Sequence, residues 1–197
     1  MQPVGLSTLM RAAPARKIIN ILLFQIAWFA AVLGAANGNE WHGPLAVALV
    51  LAVHLALTRD RRGELKLLLA AGILGFCFDT ALKAGGIVDP RGDFLPHPFS
   101  APWMVSMWIN LAATLNVSLA WLKGRYPLAV IFGGIGGGAA YYGGARMGAT
   151  VSLPDAQGIM ILIVGWGIMM PILVWLAEKF QSRVDHDAQQ HSISRSR

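Results

Sequence analysis

A chain of 197 residues that is 55% hydrophobic and only 13% charged lacks the polar material to clothe a soluble globule, so lipid is expected to cover the surplus. A net charge of +6 would suit a nucleic-acid binder, but the basic residues form no stripe with interleaved aromatics and sit at the ends of apolar runs. Membrane-surface electrostatics account for them, and no nucleic-acid partner is expected.

Six apolar stretches follow in order. The first, Ile18 to about Ala36, stands behind Arg16 and Lys17; Gly34 and Ala36 give it a small-x-small end, but it is longer than the about 7–15 residues of a signal-peptide core, so an uncleaved span is expected. The second, Pro44 to Thr58, is short and ends in Arg59, Arg61 and Arg62. The third runs from about Leu65 to Ala84 and stops at Gly85-Gly86. Pro102 to Leu122 is the fourth, the fifth starts at Pro127 and frays after Tyr142, and the sixth spans Gly158 to Ala177. Proline at the start and glycine past the end are ordinary helix punctuation. The expectation is an all-α, polytopic bundle of six transmembrane helices over 18–180, with a cytoplasmic segment at 1–17 and a disordered cytoplasmic tail at 181–197.

Of sixteen basic residues, thirteen precede the first stretch, follow the sixth, or fall in the second-to-third and fourth-to-fifth gaps; Lys83, Arg91 and Arg146 are the exceptions. By the positive-inside rule both termini are cytoplasmic. Trp41 and Trp103 at the outer ends, and Trp121 and Trp175 at the inner ends, stand where indoles favour the headgroup boundary; Trp28, Trp108 and Trp166 lie deeper and suit helix packing. The lone Cys77 excludes an internal disulfide and reads as a buried, inert thiol. The proline-rich connection from Gly85 to Ala101 suits a lid over an outer cavity; turn chemistry accounts for its Asp89 and Asp93, and with His97 they are too few and too little convergent for a cation, so no metal is expected.

Charges at membrane depth are costly and mark candidate sites. Asp79 is the strongest, with Lys83 one turn later on the same face: either the two form a structural ion pair, or Asp79 faces an outer cavity as a proton-, cation- or headgroup-binding carboxylate. Asn110 falls near the same level, and Arg146 just past the fifth stretch is a plausible partner for Asp79. Gln25, His54 and Asn116 share a depth in the inner half if each helix rises roughly 1.5 Å per residue. Interhelical hydrogen bonds are their ordinary use. The fifth stretch carries Gly133, Gly134, Gly137 and Gly138 at the small-xxx-small spacing that lets helices touch. A phosphate-binding loop would need a strand before it, and none is expected.

The run Ile18 to Phe29, the Phe78-Asp79-Thr80 segment, the stretch Thr114 to Leu122 and the glycine-rich Gly133 to Gly144 region resemble a bacterial domain-of-unknown-function family of small six-helix inner-membrane proteins, over about Ile18 to Phe180. The resemblance implies fold and inner-membrane location, assigns no catalytic residue and no cofactor, and points toward lipid metabolism through neighbouring genes for fatty-acid-modifying enzymes. Three functions stay open. One is a non-enzymatic accessory protein that binds membrane lipids, a membrane-protein partner or a second copy of itself. Another is a small transporter or channel subunit using Asp79. The third is an intramembrane lipid-modifying enzyme, against which the scarcity of clustered His, Asp and Glu argues.

Overall fold

The computed structural model describes the backbone of residues 13–92 and 94–195 and the side chains of 14–92 and 94–181. The described residues form six α-helices: α1 (Ala13–Ala36), α2 (His42–Leu57), α3 (Arg61–Ala84), α4 (Pro102–Leu115), α5 (Tyr126–Arg146) and α6 (Ala156–Arg195). A short 3-10 turn, Ala120–Leu122, lies between α4 and α5. No strand occurs among the described residues, although Pro90 and Thr150 form an isolated bridge. The tail expected to be disordered, 181–197, instead continues α6 in its backbone to Arg195, and residues 196–197 lie outside the described residues.

Among the described residues, four helices are long and apolar enough to cross a membrane: Pro14–Ala36, Arg61–Ala84, Tyr126–Arg146 and Ala156–Gln181. The 16-residue α2 is shorter, and α4 has only 14 residues, so at roughly 1.5 Å per residue neither helix alone spans a hydrocarbon core of about 30 Å. The fourth apolar stretch therefore differs from its expected extent: helix stops at Leu115, not Leu122. The break is chemically prepared. Asn20 on α1 donates to the Ala113 carbonyl at 3.1 Å and accepts from the Ser118 hydroxyl at 2.6 Å and its backbone N–H at 3.3 Å. Backbone groups released by the break are thus satisfied inside the protein, the condition under which irregular backbone survives away from water.

Local punctuation explains the other boundaries. Asp60 caps α3 by accepting from the Gly63 N–H at 2.9 Å, and Gly86, with φ +69, takes the left-handed turn after α3. Pro102 opens α4, and Asp155 accepts from the Gly158 N–H at 2.7 Å at the start of α6. Consecutive helices pack as pairs, α1 on α2, α3 on α4 and α5 on α6, with α4 also touching α1 and α2, and α6 touching α3. The basic turns gather at one end, where Lys123 donates to Gln181 and the Gly124 N–H to Glu178 at 2.6 Å. At the opposite end the connection before α4 is latched to the α5–α6 turn: Arg91 donates from its backbone to Ala149 at 2.9 Å and from Nε to Gly148 at 2.8 Å.

Exposed apolar side chains recur at helical spacing, as Ile18, Leu22, Ile26, Phe29 and Leu33 on α1 and Leu65, Leu69 and Ile73 on α3. Stripes of this extent are untenable in water and suit lipid. Cys77 continues the α3 stripe and is exposed, so the expectation of a buried thiol is corrected: it is apolar in setting because of its face, not because protein covers it. Trp41, Trp121 and Trp175 are exposed as expected of boundary residues, whereas Trp103 is buried and donates to the Arg91 carbonyl at 2.8 Å. Gly133 and Gly134 bring α5 against the backbone of α6, since an added Cβ would lie 2.5 Å from the Trp166 carbonyl oxygen and 3.0 Å from that of Ile163.

Candidate functional site

Two polar centres and one cleft emerge. At mid-bundle, Asp79 on α3 is 2% exposed. Trp108 on α4 donates its indole N–H to one carboxylate oxygen at 2.9 Å, and the Tyr141 hydroxyl on α5 donates to the other. Trp108 stacks on Trp166 of α6, with centroids 4.4 Å apart and planes 16° from parallel. Glycines make the room. A Cβ on Gly75, one turn before Asp79, would fall 2.1 Å from the Trp108 ring, and one on Gly137 would fall 2.1 Å from the Trp166 ring. The order across the bundle is thus Gly75, Trp108, Trp166, Gly137. Gly138 completes the expected packing set against Ile163, at 3.0 Å from a built Cβ.

This geometry corrects one sequence expectation. Asp79 and Lys83 share a helix face but form no ion pair, because the carboxylate is turned toward the donors on α4 and α5. Lys83 is buried nearby, one turn on. Arg146 is exposed at the end of α5 and does not meet Asp79 either. Asn110 ties α4 to α1 by donating to the Phe24 carbonyl at 3.0 Å, and its own buried oxygen has no partner. The four candidates therefore do not form one cluster.

The second centre lies near the basic end and contains a residue that sequence reasoning missed. Glu64, 4% exposed on the first turn of α3, meets His54 Nε2 at 2.8 Å and accepts from the Asn116 amide at 2.7 Å. Lys123 donates to the Asn116 oxygen at 2.5 Å. Burial pulls the Lys123 ammonium below the ordinary lysine range, and the charges of Glu64 and Glu178 oppose that shift. Gln25, expected beside His54 and Asn116, is instead exposed on α1 and lines the cleft. The missed signal was symmetry: His54 and Glu64 stand equally far from Arg59 in the turn joining α2 to α3, so an antiparallel hairpin sets them level. Among the described residues, no three His, Cys, Asp or Glu side chains converge as metal ligands; Asp93 lies outside the described residues.

The cleft, about 410 Å³, opens between α1 and α5 over a floor of α4 and α6. Its walls include Phe24, Trp28, Met107, Trp108 and Tyr141, and among the described residues no Asp, Glu, Lys, Arg or His lines it. The bounding helices approach at the end away from the basic turns, where a Cβ on Gly144 would lie 3.7 Å from Val32. Exposed Gln25, Phe132 and Gly136 mark the mouth. The indole N–H of Trp166 is buried beside the Tyr141 hydroxyl oxygen.

The chain belongs to the family described as Protein of unknown function (DUF2878), which matches residues 17–172. No curated protein and no solved structure matches it.

Proposed function

We propose that this is a non-enzymatic protein of the bacterial inner membrane, crossing it six times with both termini cytoplasmic, that takes an apolar ligand from the lipid phase into the cleft between α1 and α5. One observation carries the reading: a neutral, aromatic-walled cleft of about 410 Å³ within the apolar part of the bundle, in the range of roughly 300–1,000 Å³ over which small-molecule sites fall. Its mouth lies between two helices that carry exposed apolar side chains, so a lipid-soluble molecule reaches it without crossing water. The segregation of basic residues to one end supports the orientation.

Gly136 supplies the test. It lines the mouth, and a Cβ built there meets no atom within 4 Å, so Gly136→Leu fills the cleft without disturbing the fold. Co-purified lipids are identified by native mass spectrometry of the detergent-solubilised protein. Wild type retains a ligand that the variant lacks, and equal retention refutes the assignment. Reporter fusions at Arg61 and Ile87 test the orientation and are expected to report opposite compartments.

A transporter reading is favoured by the partners of Asp79, a buried carboxylate with neutral donors and no cation paired to it. On that reading Asp79→Asn abolishes uptake while membrane abundance is unchanged, and equal loss of both returns Asp79 to a structural role.

A further inference from the structure

We infer that the apolar ligand is one acyl chain of an anionic phospholipid, lying lengthwise in the cleft with its phosphate head at Lys17 and Arg125; this rests on the cleft being a ligand site. Shape selects the chain. The lining runs from Ile21 to Val32 on α1, from Trp103 to Thr114 on α4 and from Phe132 to Ala145 on α5, about 16–20 Å at roughly 1.5 Å per residue. That is the depth of one leaflet in a hydrocarbon core about 30 Å thick. The volume is therefore drawn out along the helices, which suits a flexible chain and leaves a compact ring system poorly packed. The far end is blind. Val32, Trp103, Met104 and Ala145 are buried there, whereas Gln25, Phe132 and Gly136 lie open to lipid closer to the basic turns.

Charge places the head. Among the described residues no ionised side chain lines the cleft, so a phosphate drawn inside loses its hydration without a counter-ion, and the head stays outside. There, both bounding helices offer a cation below the open side. Lys17 stands one turn before Ile21, on the α1 stripe that continues through Phe24, Trp28 and Val32. Arg125 is the residue that precedes α5, two turns before Phe132 and on the same face. Both side chains are exposed, and neither hydrogen-bonds nor pairs with a carboxylate among the described residues. Their neighbours are already engaged: Lys123 donates to Asn116 and Gln181, and Glu178 accepts from the Gly124 N–H and the Tyr126 hydroxyl. Lys17 and Ile21 are separated by about 6 Å of helix, so a chain leaving a head at this level enters the cleft directly. Two unpaired cations flanking the entrance of a neutral slot complement an anionic head on an apolar tail.

The test is equilibrium binding to the purified full-length protein of three tritiated probes: dipalmitoylphosphatidylglycerol, dipalmitoylphosphatidylcholine and dioctanoylphosphatidylglycerol. The first is expected to bind saturably and about tenfold tighter than the second, which has the same chains but a head without net charge. The third has the same head on shorter chains and binds more weakly than the first, because its chain leaves the blind end of the cleft empty. Lys17→Gln combined with Arg125→Gln removes the preference for the anionic head and leaves dipalmitoylphosphatidylcholine binding unchanged; both positions are exposed, so the fold is kept. Equal binding of the two dipalmitoyl lipids, an unchanged preference in the double variant, or dioctanoyl binding as tight as dipalmitoyl overturns the inference. If the binding in any of those outcomes is lost in Gly136→Leu, the cleft remains a ligand site without this selectivity; if dipalmitoylphosphatidylglycerol binding survives Gly136→Leu, the cleft assignment itself fails.

Discussion

Adding one methyl group at each of two adjacent glycines should move stability in opposite directions. In Gly137→Ala the new Cβ lands 2.1 Å from Trp166 Cγ and 2.6 Å from its Cβ, so the indole must retreat by more than an ångström. Overpacking of this kind costs about 1–3 kcal/mol. Retreat also pulls Trp166 off Trp108, whose stacked pair at 4.4 Å contributes about 0.5–1.5 kcal/mol beyond its buried area. Against these stands the helix preference of Ala over Gly, about 1 kcal/mol. The net is a loss of about 1–3 kcal/mol on those magnitudes. Gly136→Ala meets nothing within 4 Å and keeps only the gain, a stabilisation of up to about 1 kcal/mol. Unfolding of each purified variant in mixed micelles, followed by tryptophan fluorescence, measures both. In a Trp166→Ala background Gly137→Ala should cease to destabilise, as coupling between contacting residues requires. A Gly137→Ala protein as stable as Gly136→Ala refutes the sandwich of indoles between Gly75 and Gly137.

Glu64→Ala leaves His54 and Asn116 without their shared acceptor and should cost about 3 kcal/mol; a cycle with His54→Ala should show coupling of about 0.5–3 kcal/mol, and additive effects would dissolve the network. Asn20→Leu strips the Ala113 carbonyl and the Ser118 N–H of their partner, a loss of about 1–3 kcal/mol; unchanged unfolding would mean that the break after Leu115 is satisfied some other way. Cys77 should react in intact membranes with a lipid-soluble maleimide and resist a membrane-impermeant one, and protection from both would place it inside the bundle.

The segments, their hydropathy and the glycine face of α5 were legible from the chain because each is a local property. A run of apolar residues, a proline at its start and a glycine past its end carry their meaning wherever the helix packs. Helix rotation and helix neighbours are not local. Asp79 and Lys83 share a face on α3, yet the carboxylate meets Trp108 and Tyr141, which stand 29 and 62 positions away. Cys77 looked buried because its run is apolar, and only the packing of α3 against α4 and α6 turned it outward. Glu64 falls just outside the third apolar stretch, which opens at about Leu65, although its symmetry with His54 about Arg59 lies in the sequence. The early end of α4 needed Asn20 from another helix, and the cleft is space that α1 and α5 leave between them. Composition thus determined the solvent this protein lives in, while the paired groups and the cavity arose only when separate helices were brought into register, since a contact belongs to two segments and neither one encodes it alone.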